Sequence, residues 1–202
     1  FTFFLFSLVC SVVYILNDIT DIETDKLHPI KKNTKPLANG SLSIFFAKIL
    51  IVLLVILIIL FLLHDNTILP YVLCYLILNL SYNYYLKKIP IIDVLVISIG
   101  YILRIESGSE IVEVTTSLLM LCSIFFLSTF VLSIKRKKEF ENNSFSRKSL
   151  KFYNLNSLKY FSYLSSFITF CFYLFYIITK NPSLIITVPV VVFVFWRYLY
   201  LN

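Results

Sequence analysis

Long apolar stretches alternate with short polar clusters along the whole chain. Seven apolar segments can be drawn, at approximately 1–16, 43–63, 67–84, 89–106, 111–134, 158–179 and 183–201. Each is close to the roughly 20 residues that carry a helix across a hydrocarbon core. A soluble core of this size has no use for so many uninterrupted runs such as 49–63. The pattern therefore predicts an all-α fold, a multi-pass transmembrane helical bundle forming a single domain over 1–202, with no soluble domain, low-complexity tract or short repeat between the spans.

Composition agrees with the pattern. Of 202 residues, 59% are hydrophobic and 14% charged, where soluble proteins average about 25% charged. The net charge of +7 does not indicate a nucleic-acid partner, because the basic residues fall almost entirely between spans. They fit membrane orientation, contact with membrane lipids and anionic substrates better. Cys10, Cys74, Cys122 and Cys171 each stand alone in an apolar run, without the spacing of a metal or redox motif. Residues 1–16 lack the charged start and small-residue cleavage site of a signal peptide. The chain opens and closes inside apolar runs, as a piece of a longer protein would.

The loops set an orientation. Lys26, Lys31, Lys32 and Lys35 lie in the first loop, and Lys87 and Lys88 in the third. Lys135, Arg136, Lys137, Lys138, Arg147, Lys148 and Lys151 lie in the fifth, whereas the even loops hold almost no Lys or Arg. Odd loops are then cytoplasmic by the positive-inside rule, and the chemistry is expected on that face.

The chemistry begins at Asn17-Asp18-Ile19-Thr20-Asp21-Ile22-Glu23-Thr24-Asp25. On a helix, Asn17, Asp18, Asp21 and Asp25 share an arc of about 100°, with Glu23 on the other side. Carboxylates so placed repel unless a cation sits among them. Hard oxygen ligands suit magnesium, which commonly takes phosphate oxygens as further ligands. The spacing is not that of an EF-hand loop. A basic run follows at once, in which Pro29 ends the helix near His28 and Lys31, Lys32 and Lys35 can hold anionic groups the metal does not reach.

Further along, Asp93, Gly100 and Arg104 share a narrow helical face. Charges inside a span face a bundle interior or a wet cavity. Asp93 is expected within reach of substrate, whereas Arg104, toward the other end, suits a structural role. Tyr82 and Lys87 stand where the third segment meets the cytoplasm, a position shared by interfacial aromatics and snorkelling lysines.

The acidic stretch, followed by His28-Pro29, Lys31, Lys35-Pro36 and Gly40, resembles the UbiA prenyltransferase superfamily. Tyr82 to Lys87 with Asp93, Gly100 to Arg104 with Gly108, and Lys135 to Glu139 are similar to its phosphoribosyl-transferring branch. The resemblance covers nearly the whole chain but departs in two ways. Lys35-Pro36 stands where the branch usually carries Arg-Pro, so bidentate phosphate recognition is not available there. The family's first and last helices have no counterpart.

The resemblance implies a multi-pass membrane enzyme of a prokaryotic plasma membrane, with its site facing the cytoplasm. It would move 5-phosphoribose from a phosphoribosyl diphosphate donor to a lipid phosphate acceptor, a polyprenyl (decaprenyl) phosphate of cell-wall biosynthesis, with Mg2+ as cofactor. Asp18, Asp21 and Asp25 become the metal ligands and catalytic residues, helped by Asn17. Lys31, Lys35, Lys87, Lys135 and Arg136 become the phosphate-binding candidates, with Tyr82 and Asp93 as further substrate contacts. Homo-oligomerisation stays open. The nearest rival is a prenyltransferase that joins a prenyl diphosphate to an aromatic acceptor in quinone biosynthesis. That branch carries a second aspartate-rich motif where this chain has a basic cluster. A cation or lipid transporter would need acids along a path through the bundle, whereas here they gather at one end.

Overall fold

A computed structural model describes residues 2–141, 150 and 152–201. Its α-helices are α1 (Thr2–Thr20), α2 (Ile22–Leu27), α3 (Lys31–Thr34), α4 (Ile44–His64), α5 (Leu69–Tyr84), α6 (Ile92–Ile111), α7 (Leu118–Glu141), α8 (Leu155–Lys180) and α9 (Val188–Tyr200). Short 3-10 turns at Leu86–Lys88 and Pro182–Thr187 lead into α6 and α9. Each of the seven apolar segments is a helix. Five regions are long and apolar enough to cross a membrane: α1, α4, α7, α8 and the stretch 182–200. Helix α5 has only 16 residues, and α6 carries Asp93, Arg104, Glu106 and Glu110.

Two expectations need correction. The fifth segment was expected at 111–134, but α6 runs on to Ile111 and α7 occupies Leu118–Glu141. The basic cluster Lys135 to Lys138 is consequently the last turns of α7, not a loop. No Gly or Pro lies between 118 and 141 to stop the helix, and Lys, Arg and Glu are good helix formers. Arg147, Lys148 and Lys151 lie outside the described residues.

The bundle is organised for lipid rather than water. Leu5, Phe6, Val9, Val12 and Val13 form one stripe of α1, buried against Ile58 of α4 and Val72 and Tyr75 of α5. Beyond Lys48 in its second turn, helix α4 is apolar on every side up to His64, and it fully buries only Ala47 and Ile58. Ile51, Leu54, Phe61 and Leu62 pack part-buried beside that core, and most of its other side chains face outward, where lipid and not water surrounds them. The interfaces between α6, α7 and α8 are instead lined by small polar residues: Ser98, Thr129, Ser133, Ser162, Ser165 and Thr169 are all buried. Each hydroxyl bonds a carbonyl one turn back in its own helix, and those of Ser98 and Thr129 also meet at 3.0 Å. Small residues let helix backbones approach when lipid supplies no drive to associate.

Two polar clusters tie helices together. Toward one end, the Arg104 guanidinium lies over the Tyr75 and Tyr101 rings, 5.0 and 5.3 Å from their centroids, and donates to the Tyr75 hydroxyl. At the other end, Arg136 of α7 donates through Nε to Asp93 of α6 at 2.8 Å and through Nη1 to Glu139 at 3.0 Å. The Tyr153 hydroxyl donates to the second Asp93 oxygen at 2.7 Å and accepts the Ile91 amide at 2.5 Å. Ile91 has φ +68, a left-handed conformation costly for a β-branched residue. It is held by this bond and fixes the turn between Lys87 and α6.

Candidate active site

The acidic sequence forms a helix with one break. Helix α1 ends at Thr20, Asp21 adopts a turn conformation, and α2 resumes at Ile22. The amides of Asp21 and Asp25 still bond the carbonyls of Asn17 and Asp21, at 3.0 and 2.8 Å. The break therefore preserves the i, i+4 register that aligns Asn17, Asp21 and Asp25. Helix α2 stops at Leu27, with His28 as its extended cap before Pro29. His28 Nδ1 then accepts from the amides of Ile30 and Lys31 at 3.2 and 3.3 Å, which starts α3. That turn reverses the chain and points its lysines back at the acids. Gly40, at φ +80, makes the next reversal into α4, a conformation natural to glycine.

These elements enclose a cavity of about 450 Å3, lined by Asn17, Thr20, Asp21, Thr24, Asp25, Lys31, Lys35, Asn83, Tyr84, Lys87 and Lys88. Opposite charges are tightly interleaved. Lys35 Nζ lies 2.6 Å from Asp18 Oδ1 and 2.9 Å from Asp25 Oδ2. Lys31 Nζ is 3.4 Å from the other Asp25 oxygen. Lys87, arriving from the turn after α5, is 2.5 Å from Asp21 Oδ1. Burial opposes the charge on Lys35, but its hydrogen bond to Asp18 and the attraction of Asp18 and Asp25 prevail and hold its pKa above the ordinary lysine value. Asp25 is 2% exposed, and its Oδ2 finds no partner in hydrogen-bond geometry despite the nearby ammonium.

The donor set fits a divalent cation in part. Asp18 and Asp25 already share one cationic centre, the Lys35 ammonium, and the underused Oδ2 of Asp25 has acceptor capacity to offer. Hard carboxylate and amide oxygens are the ligands magnesium takes. However, Asp21 is drawn aside by Lys87, and among the described residues no three acidic, His or Cys side chains are grouped so as to hold a metal. Bringing all three carboxylates onto one ion requires the lysines to give way.

Of the residues singled out by sequence, Asn17, Asp21, Asp25, Lys31, Lys35 and Lys87 line the cavity, and Asp18 touches it through Lys35. Asp93 and Arg136 do not line it. They are 0% and 1% exposed and neutralise each other, so neither presents a free charge to a substrate in this arrangement. Tyr82 is buried, within electrostatic reach of Arg136, while its neighbour Asn83 reaches the cavity. Lys135 is exposed on α7 and is not among the lining residues. Sequence reasoning missed Thr20, Thr24, Asn83, Tyr84 and Lys88 as lining residues, and missed Tyr153. Thr20 and Thr24 follow the same i, i+4 register as the acids and could have been read from it. Tyr153, 60 residues from Asp93, left no signal. Burial and its bond to Asp93 push the Tyr153 phenol above the ordinary tyrosine value.

The sequence matches the UbiA prenyltransferase family over residues 1–202. It is 30% identical over 170 residues to decaprenyl-phosphate phosphoribosyltransferase of Mycobacterium tuberculosis, covering 81% of this chain and 56% of that protein. The protein of the same name from Corynebacterium glutamicum is 33% identical over 165 residues, covering 78% and 49%. The chain thus spans about half the length of these curated relatives. A UbiA homolog from Archaeoglobus fulgidus, solved bound to DMAPP and Mg2+, superposes with a TM-score of 0.81 over 99% of this chain and 73% of that one, at 16% identity. With the family matched from end to end and the fold shared, the chain is a multi-pass membrane protein and belongs to the UbiA prenyltransferase family.

Proposed function

We propose that this chain carries the active site of a magnesium-dependent transferase that moves 5-phosphoribose from phosphoribosyl diphosphate to a polyprenyl phosphate. The observation that supports this reading is the balance of charge in the cavity. Lys31, Lys35, Lys87 and Lys88 line it with Asp21 and Asp25, and Asp18 reaches it through Lys35, so four ammonium groups face three carboxylates. A prenyl diphosphate brings a single anionic group, which metal alone can hold. A phosphoribosyl diphosphate adds a 5-phosphate and the acceptor adds another, and the surplus of ammonium groups suits that larger anionic load. The C-terminal turns of α7 offer Lys135, Lys137 and Lys138 where the prenyl-transferring branch would have carboxylates. The names of the relatives agree with this reading.

In the reaction, an acceptor phosphate oxygen forms a bond to the anomeric carbon as the bond from that carbon to the diphosphate oxygen breaks. Magnesium held by Asp18, Asp21 and Asp25 with Asn17 would supply Lewis-acid stabilisation of the departing diphosphate. Lys31, Lys35 and Lys87 hold phosphate oxygens and position the donor, which lowers the barrier by orientation and fixed charge. Thr20, Thr24 and Asn83 supply neutral hydrogen-bonding groups on the same wall. The acceptor phosphate is anionic at neutral pH, so the site needs no strong base. A second cavity of about 470 Å3 between α7, α8 and α9 has an apolar lining that includes Leu127, Phe130, Val194 and Phe195. It offers an isoprenoid chain a compatible surface.

The test is incubation of the full-length protein in detergent with Mg2+, labelled phosphoribosyl diphosphate and polyprenyl phosphate. A labelled lipid product is expected. Turnover of a prenyl diphosphate with an aromatic acid, and none with phosphoribosyl diphosphate, would overturn the reading in favour of the quinone-type branch.

The site is assigned to the cytoplasm on the strength of Lys and Arg in the odd loops. Single cysteines at Asn39 and Ser109, in a cysteine-free background, should react with an impermeant thiol reagent from opposite sides of the membrane. Labelling of both in intact cells would refute that orientation.

A further inference from the structure

The Lys35 ammonium does not merely border the acids. It lies 2.6 Å from Asp18 and 2.9 Å from Asp25, at the point where the two negative fields add. A magnesium ion taking one oxygen from each carboxylate would sit about 2.0–2.1 Å from them, and it would need that same volume. The two cations cannot share it. The backbone of Lys35 is fixed on both sides: its amide closes α3 on the Lys31 carbonyl at 2.9 Å, and Pro36 follows. Its flexible four-carbon stem is what can move. The cavity it lines, with Lys31 and Lys87, is where an incoming phosphate would sit.

We propose that Lys35 is a built-in competitor for the divalent cation: its ammonium must leave Asp18 and Asp25 before those carboxylates can bind metal, and it then transfers to the diphosphate that accompanies the metal. This rests on the reading that these carboxylates hold a divalent cation. The consequence is thermodynamic coupling. Metal alone must expel the ammonium toward a cavity whose remaining carboxylate, Asp21, already pairs with Lys87. Metal with diphosphate gives that ammonium a new partner, so each ligand tightens the other. Lys87 on Asp21 sits apart, and Lys31 approaches Asp25 from its other oxygen. Lys35 alone, among the described lysines, bridges two of the acids.

The experiment uses full-length protein in detergent, with Mn2+ as the metal probe and inorganic pyrophosphate as the anion. Mn2+ binding is followed by electron paramagnetic resonance without pyrophosphate. Labelled pyrophosphate binding is then measured at fixed free Mn2+. Lys35→Met should tighten Mn2+ alone by about tenfold, since two partly exposed ion pairs no longer compete. The same variant should weaken pyrophosphate at saturating Mn2+ by a similar factor. Lys35→Arg, which keeps the charge, should leave Mn2+ binding weak. Lys35→Gln gives the same reading as Lys35→Met if the latter is poorly produced. Unchanged or weaker Mn2+ binding by the neutral variants, at unaltered melting temperature, overturns the proposal. So does an absence of Mn2+ binding in every variant. The titration needs no donor, so a failure to turn over phosphoribosyl diphosphate would remove the reaction proposed above and leave the exchange standing.

Discussion

Asp25→Asn in the full-length protein is expected to lower turnover at least about a hundredfold, if a metal interaction worth several kcal/mol is lost. The residue is nearly inaccessible, flanked by Lys31 on one oxygen and Lys35 on the other. Asparagine keeps the shape but removes the charge that both lysines and the metal require. Glu23 is the matched control. Its side chain is 86% exposed and pairs only with Lys26 among the described residues, so Glu23→Gln should turn over normally. Steady-state rates at limiting Mg2+ read both variants. A near-normal rate for Asp25→Asn would remove it from the metal set.

The second large effect is on stability. Removing Asp93 leaves the Arg136 guanidinium buried with Glu139 still paired to it, and the Tyr153 hydroxyl without that acceptor. Breaking a buried pair from one side costs about 3–5 kcal/mol, a large part of the 5–15 kcal/mol typical of a folded domain. Asp93→Ala should therefore be recovered from membranes in much lower yield and melt earlier in detergent. The double variant Asp93→Leu with Arg136→Met should regain most of the loss, because an apolar pair of similar volume avoids burying a lone charge. If Asp93→Ala instead folds normally and raises the Michaelis constant for phosphoribosyl diphosphate alone, the carboxylate belongs to the substrate site and the ion pair is incidental.

The contrast between Asp25 and Asp93 shows what could be read in advance. Helical register is local, so the alignment of Asn17, Asp21 and Asp25 follows from spacing alone, and even the turn at Asp21 leaves it intact. The existence of the seven helices was legible too, because lipid demands apolar length, but the bounds of α7 were not. Long-range pairing was not. Nothing near Asp93 names Arg136 as its partner 43 residues on, and a basic cluster reads the same whether its members face solvent or one turns inward. The difference is made by burial. Lys135 and Lys138 stay exposed while Arg136, between them, is drawn into the bundle by an acid on the next helix. Likewise, spacing placed a cation among the acids but could not tell metal from the protein's own lysine.

Helix α4 carries a different kind of information. Ala47 and Ile58 are buried and Ile51, Leu54, Phe61 and Leu62 pack beside the core, but most of the 21 side chains face outward, where exchange among Leu, Ile, Val and Phe changes little in their surroundings. What selection can act on there is length. At 1.5 Å per residue it measures about 32 Å, and its ends are pinned by the Ser43 cap on one side and the Asp65 turn on the other. The helix is thus a ruler for the bilayer that houses this bundle, and an insertion or deletion of one turn is expected to matter more than a dozen apolar substitutions along its outward face.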